Sequence, residues 1–253
     1  MEKLRFLDCN CAVGRKMAPP LWSIQSPDDI VMQMEYCGID LAFAWHNASL
    51  DCHPLEGNQE ILKISEKYPR IKPVFTVIPN QAGEFIEPGE LVSLMKNNGA
   101  GMARLFPRFN AHSFSLADWQ CGDLFKAFEE NGIAVLIHLD QTDWETIRTV
   151  CLAHTGMNLI VTNVNYRNSR YMIPLLRQLP NLYIESSGVK INNGLDEIVR
   201  PTSAEKILFG TNAGDFSMGA AVCLVTYSSI SDNEKELVAS KNLIRLLRLE
   251  ESL

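Results

Sequence analysis

Short apolar runs recur along the chain, and each is followed by a stretch with helical spacing. The runs occupy residues 4–11, 39–45, 72–78, 101–106, 133–139, 158–163, 181–186 and 206–211, with starts 23 to 35 residues apart. Such an interval holds one strand, one helix and two connections. Helix boundaries are marked independently. Ser26-Pro27-Asp28-Asp29 offers a capping hydroxyl, a first-turn proline and acids that suit the helix dipole, and Cys37-Gly38 ends that helix. Asn131-Gly132 closes a helix begun near Asp118. Ser231-Asp232-Asn233-Glu234 is a capping box that opens a last helix, whose stripe is Leu237, Leu243, Ile244, Leu246 and Leu247.

Eight alternations of strand and helix in 253 residues predict an α/β chain: a single (β/α)8 TIM-type barrel over residues 1–253, with an extra C-terminal helix. An open, doubly wound sheet is the competing arrangement, but it usually has fewer strands. No GxGxxG and no GxxxxGK[ST] follows any run, which removes the common nucleotide-binding versions.

Composition changes this picture little. The hydrophobic share of 46% and charged share of 21% are ordinary for a globular chain. A net charge of -7 gives no electrostatic reason to bind nucleic acid or a membrane surface, yet leaves room for a local basic pocket and an anionic small-molecule substrate. Seven cysteines without a CxxC suggest reduced thiols. The start MEKLRFLDC has no apolar signal core, and the longest apolar stretch, Ala220 to Tyr227, is too short to span a bilayer. A soluble, cytoplasmic protein is expected, and homo-oligomerisation is compatible with such a barrel.

In such barrels the chemistry sits at the carboxyl ends of the strands, and polar residues gather there. The first strand ends in Asp8, Asn10 and Ala12, and the second in Trp45 and His46. The fourth runs into Arg104 and Arg108, and the fifth ends in His138. The sixth ends in Asn163, the seventh in Glu185-Ser186-Ser187-Gly188, and the eighth runs into Asn212 and Asp215. Alternation puts Asp8, Asn10 and Ala12 on one side of their strand and turns Cys11 away.

These segments together resemble the amidohydrolase superfamily, in its amidohydrolase-related (amidohydrolase-2) branch, over nearly the whole chain. FLDCNCAVG resembles the opening strand that normally reads Asp-x-His-x-His before a glycine, and LIH at 136–138 resembles the strand-five histidine. NLIVTNVN at 158–165 resembles the strand-six segment with a further histidine, ILFGTNAGD the strand-eight ILFGSD, and KNLIRLL the closing helix. The resemblance implies the barrel, and a hydrolase that cleaves an ester, lactone or amide bond, with decarboxylation as a variant. The departures fall on its metal ligands. Asn10 and Ala12 stand at the two opening histidines, Asn163 at the strand-six histidine and Asn212 at the strand-eight aspartate; only His138 keeps its identity. Asparagine carbonyls are weak ligands for transition metals, so a metal-independent enzyme without cofactors is expected. A relocated site of His46, His138 and Asp215 is the remaining way to hold an ion.

His138 is the expected acid or base, or else a histidine bonded within a barrel layer. Asp8 or Asp215 would help it activate water, although Asp8 reads first as a support for neighbouring backbone and only second as a catalytic group. Asn10, Asn163 and Asn212 either bind a carbonyl or carboxylate or bond one another as relics of lost ligands. Arg104 and Arg108 either clamp a substrate carboxylate or pair at the surface. His46 and Trp45 are candidates for the pocket wall. A catalytically inactive, ligand-binding barrel is the alternative to an enzyme.

Overall fold

The computed structural model describes residues 4–17, 26–190 and 193–250. Its strands are β1 (Phe6–Val13), β2 (Ile39–His46), β3 (Ile71–Pro73), β4 (Phe75–Thr76), β5 (Met102–Leu105), β6 (Ala134–His138), β7 (Leu159–Thr162), β8 (Leu182–Glu185) and β9 (Ile207–Leu208). All pair in parallel, in the orders β1-β2-β3 and β4-β5-β6-β7-β8-β9.

The run at 72–78 is thus two strands, not one. Its lower half pairs with β2, where Pro73 faces Ala44; its upper half pairs with β5, where Phe75 faces Ala103. Val74 between them still donates to Ala44 O at 2.8 Å, so the two halves form one stave. The eighth stave is short as a strand, but the chain beyond it runs along β1. Cys9 N donates to Phe209 O at 3.0 Å, Asn212 N donates to Asn10 O at 2.8 Å, and Cys11 bridges Ala213. These bonds join the last stave to the first.

Side-chain alternation divides the core in two. One layer lies between staves and helices and includes Phe75, Phe125, Phe128 and Phe209. The other fills the barrel interior with Leu7, Phe43, Met102, Leu136, Ile160 and Leu208. Among the helices, Pro27–Cys37 is capped by Ser26, which accepts from Asp29 N at 3.1 Å, and ends at Gly38 with φ 74°. Asp118–Asn131 ends at Gly132 with φ 68°.

The last helix departs from a simple rod. Its capping box forms as expected, with Ser231 and Glu234 exchanging both bonds. A π-helical turn at Leu237–Lys241 then separates Asp232–Glu236 from Asn242–Leu247. Buried Asn242 donates to Ala204 O and Ile207 O, both at 2.8 Å, and so ties the second segment to the base of β9. Leu243 and Leu246 join the interior cluster, and Leu247 approaches Gly101 just before β5. This segment therefore stoppers the amino end of the barrel and leaves the carboxyl end open. Among the described residues, no helix is long and apolar enough to cross a membrane.

Candidate functional site

An open cavity of about 450 Å³ lies at the carboxyl ends of the staves. Its wall includes Trp45 and Asn47 from the end of β2, Phe106 and Arg108 after β5, and Asn212 and Asp215 after β9. Arg104 and His138 reach it from β5 and β6. Six lining residues carry formal charge: Lys16, Arg104, Arg108, Asp51, Asp140 and Asp215. They balance in number but not in depth. The three acids and Arg108 are exposed, whereas Arg104 is only 3% exposed. Water screens the rim charges far more than the buried one, so the cavity floor is positive inside an acidic protein.

Arg104 is inward because Met102 and Phe106, two residues either side, are inward as well. Its guanidinium carbon lies 5.8 Å from the Trp45 ring centroid and 5.3 Å from that of Phe106, so two aromatic faces hold the cation. Arg104 Nη1 donates to Asn10 Oδ1 at 3.1 Å, while Nε is buried without a partner among the described residues. Burial lowers the Arg104 pKa to about 10, with Glu185 and Cys9 opposing the shift, which still leaves the group protonated at neutral pH.

Glu185 is the residue that the sequence reading did not single out. It follows Tyr183 on the inward face of β8 and is fully buried. Its carboxylate accepts from Asn10 Nδ2 at 3.1 Å, from Ser187 N at 2.5 Å and from Ser187 Oγ at 2.9 Å. Burial raises its pKa to about 7, against those bonds and with Asp8 adding to the rise. The carboxyl occupies the space beside Gly210, where an added Cβ would overlap it. An acidic residue closing the apolar run NLYIES was a readable signal.

A bulge in β1 explains which of its residues arrive. The register slips between Asp8 and Cys11, opposite Ala42 and Ala44, so one extra residue is fitted in and alternation is interrupted. Cys9 and Ala12 pack inside the barrel and Cys11 in the outer layer, while Asn10 reaches inward to Arg104. Asp8 falls on the outer side with Phe6, not on the side of Asn10. Its Oδ1 accepts from Asn10 N at 2.9 Å and Thr211 N at 3.0 Å, and its Oδ2 from Thr211 Oγ1 at 2.5 Å. Burial raises its pKa to about 6. Asp8 thus stitches the first stave to the last and does not line the cavity.

His138 Nδ1 accepts from Asp140 N at 3.1 Å. A neutral ring with that nitrogen occupied carries its proton on Nε2 and acts there as a donor. Burial first and the Arg104 charge second lower its pKa to about 4, against Asp140 and Asp215. At neutral pH it is therefore an uncharged hydrogen-bond donor.

The remaining expected residues divide. Asn212 lines the cavity with φ 49°, and Asp215 lines it while paired with Lys16. Arg108 stands exposed at the rim. His46 does not line the cavity: alternation sends Trp45 inward and turns His46 over Gly14, with Nδ1 accepting from Ala48 N at 3.1 Å. Asn163 sits in the left-handed turn after β7 (φ 59°), against Gly188 and outside this cavity. The three asparagines therefore do not form one cluster.

Nor does the donor set fit a divalent cation. Both ends of the Asn10 amide are engaged, Ala12 offers no donor, and a buried guanidinium would repel the ion. Among the described residues, no group of three or more His, Cys, Asp and Glu side chains could hold a metal, which removes the relocated set of His46, His138 and Asp215. The seven cysteines are unpaired.

No family model matches the chain, and no curated protein matches it. Solved structures do. An uncharacterized TIM-barrel protein from Bordetella bronchiseptica has a TM-score of 0.73 at 17% identity, covering 97% of this chain and 99% of its own. A putative amidohydrolase from Staphylococcus aureus gives 0.74 at 12%, covering 97% and 100%. A dihydroxybenzoic acid decarboxylase from Polaromonas, solved with bound manganese and 2-nitroresorcinol, gives 0.71 at 14%, covering 98% of both chains. At these identities the likeness is one of fold alone: the chain has the (β/α)8 TIM-barrel architecture.

Proposed function

We propose that the cavity binds a small carboxylated molecule through Arg104 and that the chain acts on it without a metal, as a hydrolase of an ester, lactone or amide bond or as a decarboxylase. The observation that carries this reading is the buried guanidinium at the cavity floor, with its Nε unpartnered among the described residues, the cavity-lining acids confined to the rim, and the buried Glu185 bonded to it only through Asn10. A carboxylate meeting Arg104 in a low-dielectric site gains charge-assisted hydrogen bonds that a neutral analogue lacks.

In this reading His138 donates a hydrogen bond from Nε2 to the oxygen that gains charge, which suits its tautomer better than activating water would. The Asn212 amide is a neutral partner for a carbonyl. Asp215, at the rim, is the carboxylate available as base. Asp8 has no direct part. Similarity in fold to a putative amidohydrolase and to a decarboxylase supports the reaction class only as analogy.

Benzoate and benzamide titrated into wild type and Arg104→Met test the binding step. Benzoate should bind wild type at least tenfold more tightly than benzamide, and Arg104→Met should lose that preference; a variant that still binds benzoate as tightly as wild type sinks the reading. A panel of carboxylated esters, lactones and aromatic acids, assayed with a chelator present, tests the reaction. Turnover should survive chelation and fall about 10²- to 10⁴-fold in His138→Gln. Ligand binding with no turnover on the panel would favour the inactive, ligand-binding barrel, the reading that an imidazole held neutral and donating also permits.

A further inference from the structure

Arg104 and Glu185 are the two buried members of an interior charge pair, yet they do not touch. The Asn10 amide joins them, its Oδ1 accepting from Arg104 Nη1 and its Nδ2 donating to Glu185 Oε2, both at 3.1 Å. Asn10 is itself 2% exposed, so no water screens this line. A carboxylate that enters the cavity brings a second negative charge to one cation.

We propose that Glu185, acting through Asn10, is the counter-charge and positioning residue of Arg104, and that a carboxylate ligand enters the cavity together with one proton, which Glu185 takes up. The proposal rests on the reading that Arg104 is the carboxylate receptor. The proton moves from solvent to a Glu185 oxygen; the carboxyl carbonyl still accepts from Asn10 Nδ2, so the geometry survives neutralisation. Glu185 already holds its proton up to about pH 7 through burial, so an added negative charge nearby tips it to the neutral form.

The groups that face Glu185 are Asp8, Cys9 and Asn10 from β1, Arg104 from β5, Ser187 on its own connection and Gly210 after β9. Of these, Asp8 is the other acid, and it is bonded to Thr211 on the far side of the strand. At the cavity itself, His138, Asp51, Asp140 and Asp215 are the rival proton acceptors.

Benzoate binding is measured by calorimetry between pH 7 and 8, in HEPES and in Tris, so that the difference in the buffers' heats of ionisation counts the protons. Wild type should take up close to one proton at pH 8, and its affinity should fall about tenfold per pH unit above pH 7. Glu185→Gln should take up none, hold its affinity flat and bind benzoate about tenfold more tightly than wild type at pH 8. Infrared spectra of wild type should gain a protonated-carboxyl band on binding, which serves as the readout if Glu185→Gln does not fold. Arg104-dependent binding without proton uptake, or a Glu185→Gln protein that keeps the pH slope, overturns the proposal and leaves the carboxylate site standing. Failure of benzoate to bind wild type, or unchanged binding by Arg104→Met, brings down both.

Discussion

Arg104 and Asn10 come from staves on different parts of the barrel wall, 94 positions apart in sequence, and meet at 3.1 Å in its dry interior. The amide satisfies two buried charged groups at once, and no apolar side chain could do that. Asn10→Leu has nearly the same shape but leaves Arg104 Nη1 and the Glu185 carboxylate without this bridge. Removing one partner of a buried charged network costs roughly 2–4 kcal/mol. Urea unfolding should show that loss as a lower midpoint with an unchanged slope. An unaltered midpoint would mean that the network adds nothing to stability.

Glu185 also gives stability a pH dependence. Its folded pKa, about 7, lies above its ordinary value of 4.5 because of burial. The folded chain therefore binds the proton more tightly, and this contribution is fully present below about pH 4.5 and is lost as pH rises to about 7. Asp8 acts with the same sign between 3.8 and about 6. His138 has the opposite sign: its contribution is present above 6.5 and is lost as pH falls to about 4. The difference between wild type and Glu185→Gln isolates the first group. Relative to the variant, wild type should lose stability on the order of 3 kcal/mol between pH 4.5 and 7.5, measured by denaturant unfolding at each pH. A constant difference would show that Glu185 does not titrate in that window.

The staves were legible because each is an apolar run between turn residues, and the helix ends because Ser26, Gly38, Gly132 and the Ser231 box use local chemistry. What was not legible depended on geometry between strands. Nothing in LRFLDCNC announces a bulge, yet the bulge moves Asp8 off the side of Asn10 and makes it a closure residue. The split at Val74 reflects a stave that changes neighbours halfway, which no single run encodes. His46 was misjudged for a simpler reason: period-two alternation, applied from Trp45, already turned it away. Glu185 could have been found by the same rule from Tyr183.

Gly210 has no positive φ to explain it. Its reason is the Glu185 carboxyl, which fills the place a Cβ would take. Gly210→Ala should therefore destabilise by roughly 1–3 kcal/mol through overpacking. Because the obstacle is one side chain, Glu185→Ala should make Gly210→Ala nearly free, and the double-mutant coupling should reach at least about 1 kcal/mol. Additive losses in thermal unfolding would place the strain elsewhere.

The protonation of His138 can be read without a substrate. Long-range proton–nitrogen correlation spectra should show Nδ1 bare and Nε2 carrying the proton, with the peak assigned by its loss in His138→Gln. Because burial and Arg104 both disfavour the charged ring, the spectrum should stay neutral down to about pH 5 and change only as pH approaches 4. In Arg104→Met the second of these causes is gone, so the transition should move upward, toward 6.5. Titration of the wild-type ring near 6.5 would mean that water reaches His138 freely. The ring would then exchange a proton near neutral pH, where burial and Arg104 otherwise hold it as an uncharged donor.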